Sequence, residues 1–168
     1  TINKFFHRNI HTRDGASQMF ILADAGMGKT SLMMMLKLSH LMAFWPKKYQ
    51  CQLLKLGPTT LSDIDKIEDK ANTILLLDSL DEDNQCKQGG TIVRLTKILE
   101  ETTSFYRVVV TCRTQFFPET AKPAFNTMGK ISFNNYDCPL IYLSLFTNVQ
   151  VDSYLEKRYP RRLKFILN

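Results

Sequence analysis

No apolar run in this chain approaches the roughly 18 residues that a membrane-crossing helix needs. The first residues, Thr1-Ile2-Asn3-Lys4-Phe5-Phe6-His7, lack the basic, apolar and small-residue regions of a secretory signal. There is no C-x-x-C: Cys51, Cys86, Cys112 and Cys138 stand far apart, as free thiols of a reducing cytoplasm would. His7 and His11 have H-x₃-H spacing, but nothing nearby completes a metal site, so surface histidines are expected. No internal repeat and no low-complexity segment is present. Acids are the minority charge, 16 Asp and Glu against 22 Lys and Arg, for a net charge of +6. Much of that excess lies in Lys157, Arg158, Arg161, Arg162 and Lys164. A solvated helix face, or a patch meeting other parts of a longer protein, explains it better than nucleic-acid binding.

With 168 residues and ordinary apolar and charged fractions, the chain is one domain able to bury a core. It has no initiator Met and stops in a basic amphipathic stretch, so a piece of a longer protein is expected.

The most informative segment is Ala23-Asp24-Ala25-Gly26-Met27-Gly28-Lys29-Thr30, followed by Ser31. It follows the apolar run Met19-Phe20-Ile21-Leu22 and leads into a helical pattern, the setting of a phosphate-binding loop. A loop that wraps a polyphosphate must bring backbone N–H groups close to the oxygens, which requires small residues such as Ala25, Gly26 and Gly28. The loop ends at a helix N-terminus, whose free N–H groups and dipole favour an anion. Lys29 would reach the β- and γ-phosphates, and Thr30 would ligate Mg²⁺. Ala23 replaces the usual first glycine, which is tolerable if its φ is negative.

Strands and helices alternate along the chain. Strands are predicted over residues 18–24, 51–56, 73–78, 107–112 and 140–145. Leu75-Leu76-Leu77 and Val108-Val109-Val110 read as strands buried on both faces, as in a parallel sheet. Helices are predicted over residues 29–44, with Met33 to Met35 as core filler, and over a short stretch with Leu61, Ile64 and Ile67 on one face. Two more follow, one with Ile92, Leu95, Ile98 and Leu99 inward, the other from about Val149 to Arg158. Residues 114–137, with Pro118, Pro123 and Gly129, read as irregular, with room for a short helix or hairpin. The expected architecture is a three-layer α/β/α P-loop NTPase fold with a five-stranded, mainly parallel sheet. Ligands of such sheets sit at the carboxyl ends of the strands, so polar residues there should converge.

Two strand ends carry suitable groups. The third ends in Asp78-Ser79-Leu80-Asp81-Glu82. Asp78 is the candidate Mg²⁺ carboxylate, and Asp81 or Glu82 would orient or deprotonate an attacking water. The fourth ends in Thr111-Cys112-Arg113, where Arg113 would reach the γ-phosphate to stabilise or sense its charge.

Together these three motifs resemble the NACHT family, within the STAND class of P-loop ATPases. The acidic motif is similar in order to that family's: a small residue after the aspartate, a hydrophobic residue, then two acids, here Ser79, Leu80, Asp81 and Glu82. Tyr142-Leu143-Ser144-Leu145-Phe146 and a helix with Val151 and Tyr154-Leu155 are similar to the last strand and the start of the following helical subdomain. The likeness spans roughly residues 18–158, and its phrasing resembles that of bacterial STAND proteins, many of which have antiphage-defence roles.

The resemblance implies a core over residues 1–146 and a helical subdomain starting at 147–168. It implies an ATP/ADP switch with Mg²⁺ and slow hydrolysis, self-association when ATP is bound, and fused effector and sensor domains outside this chain. Ala25, Gly26, Met27, Gly28, Lys29, Thr30 and Ser31 would hold the nucleotide, Thr30 and Asp78 the metal, and Asp81 or Glu82 with Arg113 would serve hydrolysis. Two alternatives remain. A small-molecule kinase usually lacks a full strand between phosphate loop and acidic strand, yet residues 51–56 supply one. A nucleotide-binding scaffold without turnover would use most of the same residues.

Overall fold

The computed structural model describes residue 6 and residues 17–42, 49–86, 90–116, 129–133 and 136–159. Five of its strands are β1 (Gln18–Leu22), β2 (Gln50–Lys55), β3 (Thr73–Asp78), β4 (Arg107–Cys112) and β6 (Tyr136–Tyr142). They pair in parallel in the order β2-β3-β4-β1-β6. A sixth strand, β5 (Lys130–Phe133), runs antiparallel to β6 at the edge. Among the described residues the sheet thus has six strands rather than the expected five, and β5 and β6 bear out the strand pairing allowed for in the last part of 114–137. The four residues that follow Gly129 carry too little periodicity to stand out. Pairing of Ile131 with Cys138, both fully buried, recruits them to the sheet. Residues 117–128 lie outside the described residues.

The pleat sorts the strand residues onto two faces. On one, Phe20, Leu22, Leu75, Leu77, Val108 and Val110 pack with Ile64 of α2 (Thr60–Asp65) and with Leu95, Ile98 and Leu99 of α3 (Thr91–Glu101). On the other, Met19, Ile21, Ile74, Leu76 and Val109 pack with Met33, Leu32 and Leu36 of α1 (Lys29–Leu41). This is the three-layer arrangement, and it explains the uninterrupted apolar runs of β3 and β4, in which every residue is buried.

The methionine run does not behave as expected. Met33 is fully buried, but Met34 and Met35 are 53% and 63% exposed. Three consecutive helical residues span about 200° of the helix circumference, so one narrow contact face cannot take all of them. After β6, Thr147 and Gln150 form a capping box that starts α4 (Asn148–Arg158), a helix with no buried residue. Among the described residues no helix is long and apolar enough to cross a membrane.

Candidate functional site

The loop after β1 is shaped by its glycines. Gly26 and Gly28 have φ of 77° and 85°, in the left-handed region that disfavours side chains. Ala23 is outside that region, since Ser79 is the one non-glycine residue with positive φ among the described residues. Ala23 is buried and its N–H donates to the Cys112 carbonyl at 3.2 Å, tying the loop to the end of β4. α1 then begins at Lys29 with Gly28 as N-cap; no side chain caps it and no acid lies in its first turn. Its N-terminus keeps the partial positive charge that an anion would meet. The Lys29 ammonium folds back over the loop and donates to the Ala23 and Asp24 carbonyls at 3.0 and 3.2 Å.

Opposite stands Asp78, the last residue of β3 and buried. Both of its oxygens accept a hydroxyl: Thr30 Oγ1 donates to Oδ2 at 2.7 Å and Thr111 Oγ1 to Oδ1 at 2.6 Å. The chain then turns through Ser79 (φ 63°, ψ 57°) into a 3₁₀ turn, Leu80–Glu82. The acids of this turn are held by cations. Asp81 accepts from Arg113 Nε at 2.7 Å and from the Arg113 backbone N–H at 3.1 Å. Glu82 pairs with Lys55 at 2.9 Å, across from the end of β2. The hydrogen bond and charge of the Lys55 ammonium pull the Glu82 carboxyl below its ordinary range, and Glu82 raises Lys55 in return.

These segments enclose a cavity of about 280 Å³ lined by Ala25, Gly26, Gly28, Lys29, Thr30, Ser31, Ser79, Asp81, Glu82 and Arg113. All but one of the expected nucleotide contacts line it. The exception is Met27, whose sulfur accepts the Asp24 N–H at 3.2 Å and so stiffens the loop from outside the cavity. Asp78 reaches the cavity through Thr30 rather than lining it.

Hard oxygen donors, one carboxylate and a hydroxyl at its edge, suit Mg²⁺, which keeps waters and phosphate oxygens as its other ligands. Among the described residues no group of three or more His, Cys, Asp and Glu forms an all-protein metal site. His7 and His11 lie outside the described residues.

Four residues escaped the sequence reading of the site. Thr111 and Lys55 are described above. The other two are Asp83 and Arg94, a buried ion pair at 2.9 Å behind the acidic turn. Arg94 also donates to the Gly57 carbonyl at 2.8 Å, and Asp83 accepts the Gln85 N–H at 3.0 Å. An arginine inside an otherwise apolar helix face was the available signal, because such a residue needs a buried partner.

No family model matches the chain, and no curated protein matches it. A solved structure of C. elegans PCH-2 superimposes with a TM-score of 0.49 at 16% identity, covering 98% of this chain and 44% of that one. The chain therefore spans less than half the length of that protein. At such distance the chemistry of the site has to be read from this chain's own residues.

Proposed function

We propose that the chain binds a nucleoside triphosphate with Mg²⁺ at the carboxyl ends of β1, β3 and β4. The observation that carries this reading is convergence. Lys29 and Thr30, the Asp81–Glu82 turn and Arg113 come from three separate segments and meet around one cavity, with Asp78 behind Thr30. The uncapped start of α1 and the glycine loop would hold the phosphates through backbone N–H groups. Lys29 would exchange two carbonyl partners for phosphate oxygens. Thr30 and Asp78 would hold Mg²⁺, which would supply charge neutralisation on the phosphates. Arg113, now paired with Asp81, would turn to a γ-phosphate and leave Asp81 free to orient water.

The finer reading is a NACHT-type, STAND-class ATP switch. Nucleotide exchange would control self-association and the output of fused effector and sensor domains, with a defence role and slow hydrolysis. The acidic motif and Arg113 support it, as does the position of α4, which would open a helical subdomain. Those further parts would normally hold the resting nucleotide, so the 168-residue chain alone should bind weakly. One observation favours a second reading, a scaffold without turnover: Asp81 and Glu82 are both committed to ion pairs.

Isothermal titration with ATP and Mg²⁺, followed by a phosphate-release assay, tests both. Binding is expected, with a loss of tenfold or more in Lys29→Ala, about 1.4 kcal/mol. Unchanged affinity in Lys29→Ala sinks the phosphate-loop reading. Binding with no phosphate release selects the scaffold.

A further inference from the structure

We infer that Thr111 is a positioning residue of this site, setting the Asp78 carboxylate and the acidic turn through one hydroxyl. The inference rests on the nucleotide reading above. Thr111 is the fifth residue of β4, fully buried, and outside the cavity lining. Parallel pairing of β3 with β4 sets Leu77 against Val110, which brings the next residue of each strand, Asp78 and Thr111, side by side.

A hydroxyl has one proton to donate and lone pairs to accept with. Thr111 uses both functions. Its O–H donates to Asp78 Oδ1 at 2.6 Å, and its oxygen accepts the Ser79 N–H at 2.9 Å. The first bond holds one carboxylate oxygen against β4, so the other, Oδ2, is the one turned to Thr30 at the cavity edge. The second acts on Ser79, whose φ of 63° is a conformation a serine adopts only when its surroundings enforce it. Ser79 begins the turn that carries Asp81 and Glu82. One side chain thus registers the metal carboxylate and the two hydrolytic candidates against each other. Partners that orient a metal ligand in this way typically change metal affinity or activity by about 10–100-fold when removed.

A buried strand threonine that merely satisfies a buried N–H would affect stability alone. The test separates the two roles by measuring ATP affinity with Mg²⁺ and with a chelator, beside thermal unfolding, for wild type, Thr111→Ser and Thr111→Val. Valine keeps the shape and removes the hydroxyl; serine keeps the hydroxyl. Wild type and Thr111→Ser should bind ATP more tightly with Mg²⁺ than with chelator. Thr111→Val should match wild type in chelator and lose about tenfold of the Mg²⁺ enhancement.

Where Thr111→Val fails to fold, the double variant Ser79→Gly with Thr111→Val replaces it, because glycine holds the left-handed turn unaided. It should fold and still lack the enhancement. A full wild-type Mg²⁺ enhancement in either hydroxyl-free variant overturns the assignment. No ATP binding by wild type overturns the nucleotide reading and this inference with it.

Discussion

At the scale of single residues, each acid of the site is held by a partner. Asp78 is held by two hydroxyls, Asp81 by Arg113 and Glu82 by Lys55. If the chain hydrolyses nucleotide as proposed, the Glu82 pairing bears on which acid would serve water. The Lys55 ammonium lowers the Glu82 pKa, so Glu82 stays ionised to a lower pH than an ordinary glutamate. Any stability from the pair is complete above the ordinary carboxylate range and lost as pH falls through the lowered value. Both side chains are largely solvent-facing, so the effect should appear in turnover rather than in folding. In Lys55→Met the acid limb of the pH–rate profile should move to higher pH if Glu82 is the base, and Glu82→Gln should abolish the limb. If Lys55→Met leaves it in place and Asp81→Asn removes it, Asp81 is the base.

At the scale of elements, the acidic turn is braced from behind by α3. Arg94 and Asp83 are 5% and 0% exposed, and Arg94 ties Asp83 to the loop after β2 through Gly57. Removing one partner strands a buried charge, so Arg94→Met or Asp83→Leu alone should destabilise by about 3–5 kcal/mol in denaturant titrations. The double variant, apolar on both sides, should recover much of that loss. Equal losses in single and double variants would mean the pair contributes packing rather than charge compensation. The acidic turn's own sequence was informative about chemistry but not about this anchor. The sequence marks α3 by Leu95, Ile98 and Leu99, and nothing adjacent in the chain pairs Arg94 with Asp83. Likewise the periodicity of α1 located the helix but not the width of its contact. Only Met33 of the three methionines reaches the core.

At the scale of the whole molecule, the sheet is closed over by helices on both faces, and its thiols report how tightly. Cys112 and Cys138 are fully buried and Cys86 nearly so. Burial pushes Cys86 up to about 11, Cys138 to about 12 and Cys112 higher still. Because the thiolate is the reactive form, alkylation at about pH 8 should leave these three unlabelled in the native chain and reach all four cysteines after denaturation. Labelling of native Cys112, read by mass spectrometry, would show that the end of β4 opens and that the Thr111–Asp78 contact is transient.

What the sequence determined by itself was local. The glycine loop, the apolar runs of β1, β3 and β4, and the acids and arginine at their ends are contiguous patterns, each set by backbone sterics or by two-faced burial. What the tertiary structure decided was strand order, with β4 between β1 and β3. That order brings Thr111 to Asp78 across 33 residues and Arg113 to Asp81 across 32. It was also the tertiary structure that added β5 to the edge and chose one methionine of three for the core. The physical reason is the same each time. Hydrogen-bond partners and core contacts distant in the chain are selected by which surfaces can be buried together, and a local pattern does not contain that choice.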